Sequence, residues 1–248
     1  MNKNIFVVGP DAFNLRMIRA NRHAREYNIY GLLDIHKLID SGKYRLIDML
    51  ELATDELEKF EGSIDAIVGY TDFPVSTIVP ILCERFQVPG PSLESVLKSE
   101  HKYWSRLEQQ SVIPEHIPGF KKFDPFDDHA LDPIPFEYPF WIKPIKSTAS
   151  QLGFRINSRR DFRRAVNVLR EKIGLFKPFD QLLDMVRLPE EVASVNSSHC
   201  VAEQIISGRQ CTLEGYVFNG RVHTYGIVDC IREANRTTFA RYQYPSQL

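Results

Sequence analysis

Short apolar runs alternate with polar stretches through the first third of the chain. Three of these runs are typical of buried parallel strands, and they span residues 5–8, 28–33 and 64–68. Apolar residues at helical spacing between the runs predict helices, among them residues 55–60 and 74–86. Strands that alternate with helices predict a parallel sheet in a Rossmann-like unit. No G-x-G-x-x-G follows the first run, which disfavours dinucleotide binding there.

A helical pattern with Ser92 as its N-cap continues from residue 92 to residue 110. A stretch dense in proline follows, and it predicts a change of domain near Ser111. Beyond it, the pattern predicts a strand at 140–145, a turn rich in hydroxyl groups at 146–150 (the hydroxyl turn), and a strand at 153–156.

A helix capped by Ser158 follows these strands. The last part of the chain is rich in strands, at residues 201–206, 211–218 and 222–231. Asn219-Gly220 between the last two predicts a tight hairpin.

Composition excludes several classes of protein. The chain has 248 residues and a formal net charge of −1, so it carries no electrostatic signature of nucleic-acid or anionic-membrane binding. No apolar run approaches the roughly 20 residues that span a bilayer. The four cysteines show no C-x-x-C spacing, so we expect reduced thiols in a cytoplasmic protein and neither a disulfide framework nor a zinc site.

Three segments that carry candidate chemistry follow the first unit in a fixed order. The first is the helix around Lys102, the second is the strand-turn-strand at 141–153, and the third is the strand and loop at 201–210. Each is ordinary when it is taken alone, because a helical lysine is usually solvated and a Ser/Thr turn is usually a plain hairpin. Their order is therefore the informative feature.

Together, the three segments resemble the ATP-contacting motifs of the ATP-grasp superfamily, which includes D-alanine–D-alanine ligase and biotin carboxylase. The resemblance covers essentially the whole chain. It implies an α/β fold with a Rossmann-like domain at residues 1–95 and an ATP-grasp module at 96–248. Within the module it implies an α+β lid at about 112–200 and an incomplete C-terminal antiparallel subdomain at 201–248.

Lys102 and Lys143 match the two family lysines that contact the phosphates of ATP. A lysine supplies a mobile cation with three donors, which suits phosphate oxygens. The alternative is that each forms a surface ion pair of little energetic value. The hydroxyl turn resembles the loop that covers the phosphates, since successive backbone N–H groups can bind an anion. Its candidate residues are Ser147, Thr148, Ala149 and Ser150.

The segment 203–206 resembles the adenine hinge of the family, and its members are Glu203, Gln204, Ile205 and Ile206. In that resemblance the carbonyl of Gln204 accepts from the adenine amino group, and the N–H of Ile206 donates to a ring nitrogen. Gln210 stands where relatives often carry a glutamate that binds the ribose hydroxyls. Glutamine retains hydrogen bonding without charge. Glu214 is the alternative ribose ligand.

The family also holds Mg²⁺ on late acidic residues and an asparagine, because magnesium requires oxygen ligands. No residue up to Leu248 matches those ligands, so we expect no metal site in this sequence. The resemblance thus predicts a shortened chain or fragment that binds ATP weakly at most and is inactive alone. It also predicts that the strand at 222–231 forms an unpaired edge.

The function that this resemblance implies is ATP-dependent ligation of a carboxylate to an amine or thiol, through an acyl phosphate. The expected partners are ATP and a small carboxylate, with no nucleic acid and no membrane. Gln210 favours the alternative of a non-catalytic nucleotide-binding or regulatory protein. A third interpretation, a Rossmann-like domain joined to an unrelated β-rich domain, predicts no adenine slot. The sequence leaves open the acid, the nucleophile and whether the chain forms a homo-oligomer.

Overall fold

The computed structural model describes residues 2–34, 45–148, 150–232 and 239–247. A parallel sheet in the order β2-β1-β3 opens the chain. Its strands are β1 (Lys3–Val8), β2 (Tyr27–Leu32) and β3 (Ala66–Gly69). In the part of this region that the structure describes, four helices accompany the sheet, namely α1 (Ala12–Ala20), α2 (Leu46–Glu58), α3 (Val75–Arg85) and α4 (Leu93–Glu100). A 3-10 turn, Arg22–Glu26, precedes β2. We call these elements the N-terminal unit, and they confirm the predicted parallel sheet with alternating helices.

Helix α2 is much longer than the helix predicted at residues 55–60. It begins after Arg45, whose backbone N–H donates to the Asp48 side chain, and this contact fixes the first turn. Its buried residues, among them Leu46, Leu50 and Leu57, recur at helical spacing and pack into the core of the N-terminal unit.

The helix predicted at 92–110 is divided at His101 into α4 and α5 (Lys102–Val112). His101 has extended backbone angles and caps α5, since its Nδ1 accepts from the N–H of Trp104 at 3.0 Å. Its Nε2 lies 3.0 Å from the carbonyl oxygen of Val195 and donates to it. The break therefore gives α5 a fresh N-terminus, and Lys102 is its first residue.

The central sheet is antiparallel, in the order β4-β7-β5-β6. Its strands are β4 (Phe120–Phe123), β5 (Phe140–Pro144), β6 (Phe154–Ile156) and β7 (Cys200–Gln204). Helix α6 (Arg159–Lys172) packs its apolar side on this sheet. Ser158 is its N-cap, as predicted, and the Ser158 hydroxyl accepts from the Asp161 N–H. The sequence assigned residues from 201 onward to the C-terminal subdomain, whereas β7 pairs inside the central sheet.

Short helical segments connect α5 with β4 and α6 with β7. They are the 3-10 turns Pro114–His116 and Ile173–Phe179 and the helices α7 (Asp180–Leu183) and α8 (Glu190–Ala193). Phe179, Leu182 and Val192 from this region are buried in the same core as the N-terminal unit. This packing joins the connection before β7 to the N-terminal unit.

The C-terminal sheet has the order β10-β9-β8. It consists of β8 (Cys211–Phe218), β9 (Arg221–Arg232) and β10 (Phe239–Gln243). The predicted hairpin is confirmed, with Asn219 and Gly220 both at positive φ (48° and 73°) between β8 and β9. The prediction of an unpaired edge at 222–231 is wrong, because β9 pairs with β8 on one side and with β10 on the other. Within the described residues, the edges of this sheet are β8 and β10.

Candidate functional site

Glu203 on β7 contacts two cations that come from different elements. Its Oε2 lies 2.6 Å from Nζ of Lys143 on β5, and its Oε1 lies 2.7 Å from Nε of Arg106 on α5. Glu203 pairs with Trp141 across the two strands, so Lys143, two residues along β5, lies on the same face of the sheet. Burial alone would raise the pKa of Glu203, but Lys143 and Arg106 hold it below its usual value. Glu203 is therefore an anion between two cations.

Lys102 joins this cluster from the first turn of α5. Its Nζ donates to the carbonyl oxygen of Ser147 at 2.9 Å, and its backbone N–H donates to that of Ile145 at 3.0 Å. Burial and, to a smaller extent, the charge of Lys143 lower the pKa of Lys102 to about 8, while Asp72 and Glu203 oppose the shift. The structure thus brings Lys102, Lys143 and Glu203 into one electrostatic neighbourhood, at the end of β5 and beside the hydroxyl turn.

The hydroxyl turn lies directly beyond this cluster. Its Ser147 carbonyl accepts from Lys102, and its Thr148 carbonyl accepts from the Gln151 N–H at 2.9 Å. Ser150 is exposed and has a φ of 58°, so the turn takes a left-handed conformation without glycine. Ala149, another candidate residue, lies outside the described residues.

The predicted adenine-hinge residues lie at the end of β7. The N–H of Gln204 donates to the Gly119 carbonyl at 3.0 Å, and its Oε1 accepts from the Gly119 N–H at 3.0 Å. These contacts tie the end of the strand to the loop before β4. Ile205 is half-buried and Ile206 is 67% exposed. Glu203 contributes its side chain to the cation cluster, a role that its place in the hinge motif did not predict.

Gln210, the predicted ribose ligand, lies against the C-terminal sheet. Its Oε1 accepts from Nη2 of Arg232 at 3.0 Å, and its carbonyl accepts from the Cys230 N–H at 2.9 Å. Glu214, the alternative ligand, pairs with Gly226 across β8 and β9. The side chain of Gln210 thus has an arginine partner, which no sequence pattern indicated.

A cavity of about 1150 Å³ opens beside Lys102. One wall belongs to the N-terminal unit, another to the start of the hydroxyl turn, and a third to the tip of the β8–β9 hairpin. The charged residues of the lining are Asp72, Glu100, Lys102 and Lys146. A volume of this size is ample for a ligand, since small-molecule pockets typically measure roughly 300–1,000 Å³.

Sequence reasoning missed two residues of this region, Arg106 and Lys146. Arg106 lies four residues after Lys102, and helical spacing places the two on the same side of α5, so this signal was present in the sequence. Lys146 is buried and forms an ion pair with Glu100 of α4. Its partner is 46 positions away and carries no motif, so no sequence signal pointed to the pair.

Comparison with known proteins gives the fold. No family model matches the sequence, and no curated protein matches it significantly. Among solved structures, the L-amino acid ligase from Bacillus licheniformis is similar, with a TM-score of 0.65 and 17% identity. D-alanyl-alanine synthetase A from Vibrio cholerae is similar with a TM-score of 0.61 and 13% identity. N5-carboxyaminoimidazole synthetase from Staphylococcus aureus, complexed with ADP, has a TM-score of 0.57 and 13% identity.

Each similarity covers 100% of this chain. The chain spans 55% of the L-amino acid ligase, 75% of the D-alanyl-alanine synthetase and 59% of the N5-carboxyaminoimidazole synthetase. The chain therefore has the ATP-grasp fold, as its three ordered motifs predicted. Among the described residues, no helix is both long and apolar enough to cross a bilayer.

Proposed function

We propose that this chain carries the ATP-binding part of a ligase that joins a carboxylate to an amine or thiol through an acyl phosphate. The observation that supports this most directly is that Lys143 pairs with Glu203 while Lys102, which contacts the Ser147 carbonyl of the hydroxyl turn, lies near enough to feel both charges. Two ammonium groups from different elements near one turn suit a triphosphate, which carries several negative charges. The fold, shared with ligases, supports the same reaction class.

In this proposal the two lysines bind the phosphates and stabilise the charge that develops on the transferred phosphoryl group. Glu203 holds the Lys143 side chain at the end of β5, so that its ammonium group does not have to be ordered when the nucleotide binds. The hydroxyl turn covers the phosphates and excludes water, which protects an acyl phosphate from hydrolysis. The end of β7, at residues 204–206, receives the adenine.

Magnesium commonly accompanies ATP in phosphoryl transfer and requires oxygen ligands. Within residues 2–34, 45–148, 150–232 and 239–247, no group of three or more His, Cys, Asp or Glu side chains is placed to hold a metal ion. The described residues therefore do not fit a magnesium site built from such a group, and no step of the proposal runs through the metal.

An equilibrium titration with a non-hydrolysable ATP analogue tests the proposed site. Replacing Lys143 by Met removes the ammonium group and keeps the length of the side chain, so the affinity should fall about tenfold or more. Lys121→Met is the matched control, since Lys121 is an exposed residue of β4 in the same sheet. Its affinity should equal that of the wild-type chain. Equal affinity for Lys143→Met would remove Lys143 from the site.

A non-catalytic nucleotide-binding protein is the second candidate, and the contact between Gln210 and Arg232 favours it. That contact occupies the side chain that would otherwise bind the ribose. Phosphate release from ATP distinguishes the two functions. Phosphate release that requires an added carboxylate and amine supports the ligase. Nucleotide binding without phosphate release, whichever substrate is added, supports the non-catalytic protein.

A further inference from the structure

Lys146 is a buried cation at the start of the hydroxyl turn. Only 2% of its side chain is exposed, and it forms an ion pair with Glu100 at the end of α4. Its Nζ lies 4.6 Å from the centre of the Phe73 ring and 5.5 Å from that of Phe179. The ammonium group is thus enclosed by one carboxylate and two aromatic rings, an arrangement that stabilises a desolvated cation.

Glu100 is itself fixed to the N-terminal unit. Its second oxygen, Oε1, accepts from the hydroxyl of Ser76 on α3 at 2.7 Å. Ser76, Glu100 and Lys146 therefore form a continuous chain of polar contacts. This chain runs from two helices of the N-terminal unit to the residue that precedes Ser147.

Neighbouring contacts fix the backbone on either side of Lys146. The N–H of Ile145 donates to the His199 carbonyl at 2.9 Å, and the carbonyl of Ile145 accepts from the Lys102 N–H at 3.0 Å. The Ser147 carbonyl accepts from Lys102 Nζ. Lys102 thus holds this short stretch by donating to its backbone carbonyls. Lys146, which belongs to the stretch, anchors it through its own side chain.

A buried ion pair is a poor source of stability, because removing two charges from water costs about as much as their attraction returns. Apolar residues between Phe73 and Phe179 would fill the same space at no such cost. What the pair supplies instead is a directional contact that fixes the position of residue 146 relative to α4. This argues for positioning rather than for stabilisation.

We propose that Lys146 is a positioning residue: its ion pair with Glu100 holds the start of the hydroxyl turn, Ser147 and Thr148, against the N-terminal unit at the wall of the cavity. The inference rests on the proposed function in one respect, that the turn covers the phosphates of a nucleotide. Lys146 itself remains paired with Glu100 and does not contact the nucleotide. Both residues line the cavity that Lys102 and Ser147 also line.

The test compares the wild-type chain with Lys146→Met, with Lys146→Arg and with the double variant Lys146→Met, Glu100→Gln. The double variant removes the lone buried carboxylate that the single change to Met leaves behind, so it keeps the proposal testable if Lys146→Met fails to fold. Amide hydrogen exchange over residues 147, 148 and 150–153 is the first measurement, read above all at Gln151, whose N–H donates to the Thr148 carbonyl. We expect exchange about tenfold faster or more in the double variant, with β5 and β7 unchanged. Lys146→Arg, which keeps the charge, should restore much of the protection.

Unchanged exchange at these residues in the double variant would overturn the positioning role. So would a uniform increase over the central sheet, because that result indicates general destabilisation. The second measurement is the affinity for the non-hydrolysable ATP analogue, which should fall about tenfold in the double variant and recover in Lys146→Arg. If the wild-type chain binds and the double variant binds equally well, the inference fails and the proposed function stands. If the wild-type chain does not bind, the proposed function fails, and the exchange data still decide whether Lys146 fixes the turn.

Discussion

At the scale of single residues, the protein surrounds one carboxylate with cations. The Glu203 side chain is 8% exposed and forms ion pairs with both Lys143 and Arg106. Lys102 lies close enough for its pKa to respond to Lys143 and to Glu203. Three cations, Lys102, Lys143 and Arg106, thus lie near two carboxylates, Glu203 and Asp72, which leaves a local excess of one positive charge. Such an excess favours the binding of a polyanionic ligand.

Changing Glu203 to Gln should destabilise the fold. The substitution leaves Lys143 and Arg106 close together without their shared anion, and we expect a loss of about 1–3 kcal/mol in the free energy of unfolding. Denaturant unfolding measures it, with Glu61→Gln as a control because Glu61 is exposed. A loss no larger than that of the control would show that the two contacts do not contribute to stability.

Nucleotide affinity should fall as the pH rises above about 8. Lys102 has a pKa lowered to about 8, so it carries its charge below that pH and loses it above, and only the charged form attracts phosphate. Lys143, Asp72 and Glu203 face Lys102: the charge of Lys143 lowers its pKa, and those of Asp72 and Glu203 raise it. Lys102→Arg stays charged and should decline less steeply between pH 7 and pH 9.5. Equal slopes for the two chains would exclude Lys102 as the titrating group.

Individual residues of the candidate site were predictable to different degrees. Lys102 and Lys143 were predicted because their order along the chain matches a known set of motifs. Arg106 could have been found from its helical spacing to Lys102. The pairing of Lys146 with Glu100 could not, because it depends on how α4 packs beside the end of β5. The contact between Gln210 and Arg232 could not be predicted from the sequence either.

At the scale of elements, the break between α4 and α5 places Lys102. His101 caps α5 through Nδ1 and donates through Nε2 to Val195, so a neutral ring with its proton on Nε2 satisfies both contacts. Burial lowers the pKa of His101 and the nearby charge of Lys102 adds to this, although the hydrogen bond to the Val195 carbonyl and, more weakly, the charge of Asp180 oppose it. The folded protein therefore favours the neutral ring.

Stability should consequently fall as the pH drops below 6.5, the ordinary pKa of histidine. In that range the unfolded chain binds a proton at His101 that the folded chain resists, so acid favours unfolding. The matched variant is His101→Asn, which keeps an N-cap acceptor but does not titrate. Thermal unfolding between pH 5 and pH 7.5 should show a shallower acid dependence for the variant. Parallel profiles would mean that His101 does not contribute to the acid sensitivity.

Local sequence signals, such as helix caps and tight turns, predicted elements correctly where their typical residues are present in the sequence. The cap at Ser158 and the Asn219-Gly220 turn are both present as expected. The start of α2 was missed because Arg45 and Asp48 form an unusual capping pair. The division at His101 was missed because histidine is an uncommon cap, and its role here depends on Val195, far along the chain. Strand β10 was missed, so β9 was wrongly expected to be an edge.

At the scale of the whole molecule, the central sheet and the C-terminal sheet differ in how deeply they are buried. Ile142 on β5 and Val201 on β7 are fully buried, whereas Leu213, Val217 and Tyr225 of the C-terminal sheet are largely exposed. Apolar contacts stabilise strands in proportion to the area that they bury. The C-terminal sheet is therefore less stabilised by apolar burial than the central sheet.

Native-state hydrogen exchange should reveal this difference. Amides of β8 and β9 should exchange through local opening, with lower protection than amides of β5 and β7, which should exchange only on global unfolding. Exchange rates measured at a series of low denaturant concentrations distinguish local opening from global unfolding. Equal protection in the two sheets would show that the exposed apolar residues of the C-terminal sheet do not weaken it.

The most direct test of the account is a crystal structure of this chain with a non-hydrolysable ATP analogue. The account predicts the phosphates against the ammonium groups of Lys102 and Lys143 and the purine beside Ile206 at the end of β7. An analogue bound elsewhere on the chain, with both lysines remote from its phosphates, would contradict it.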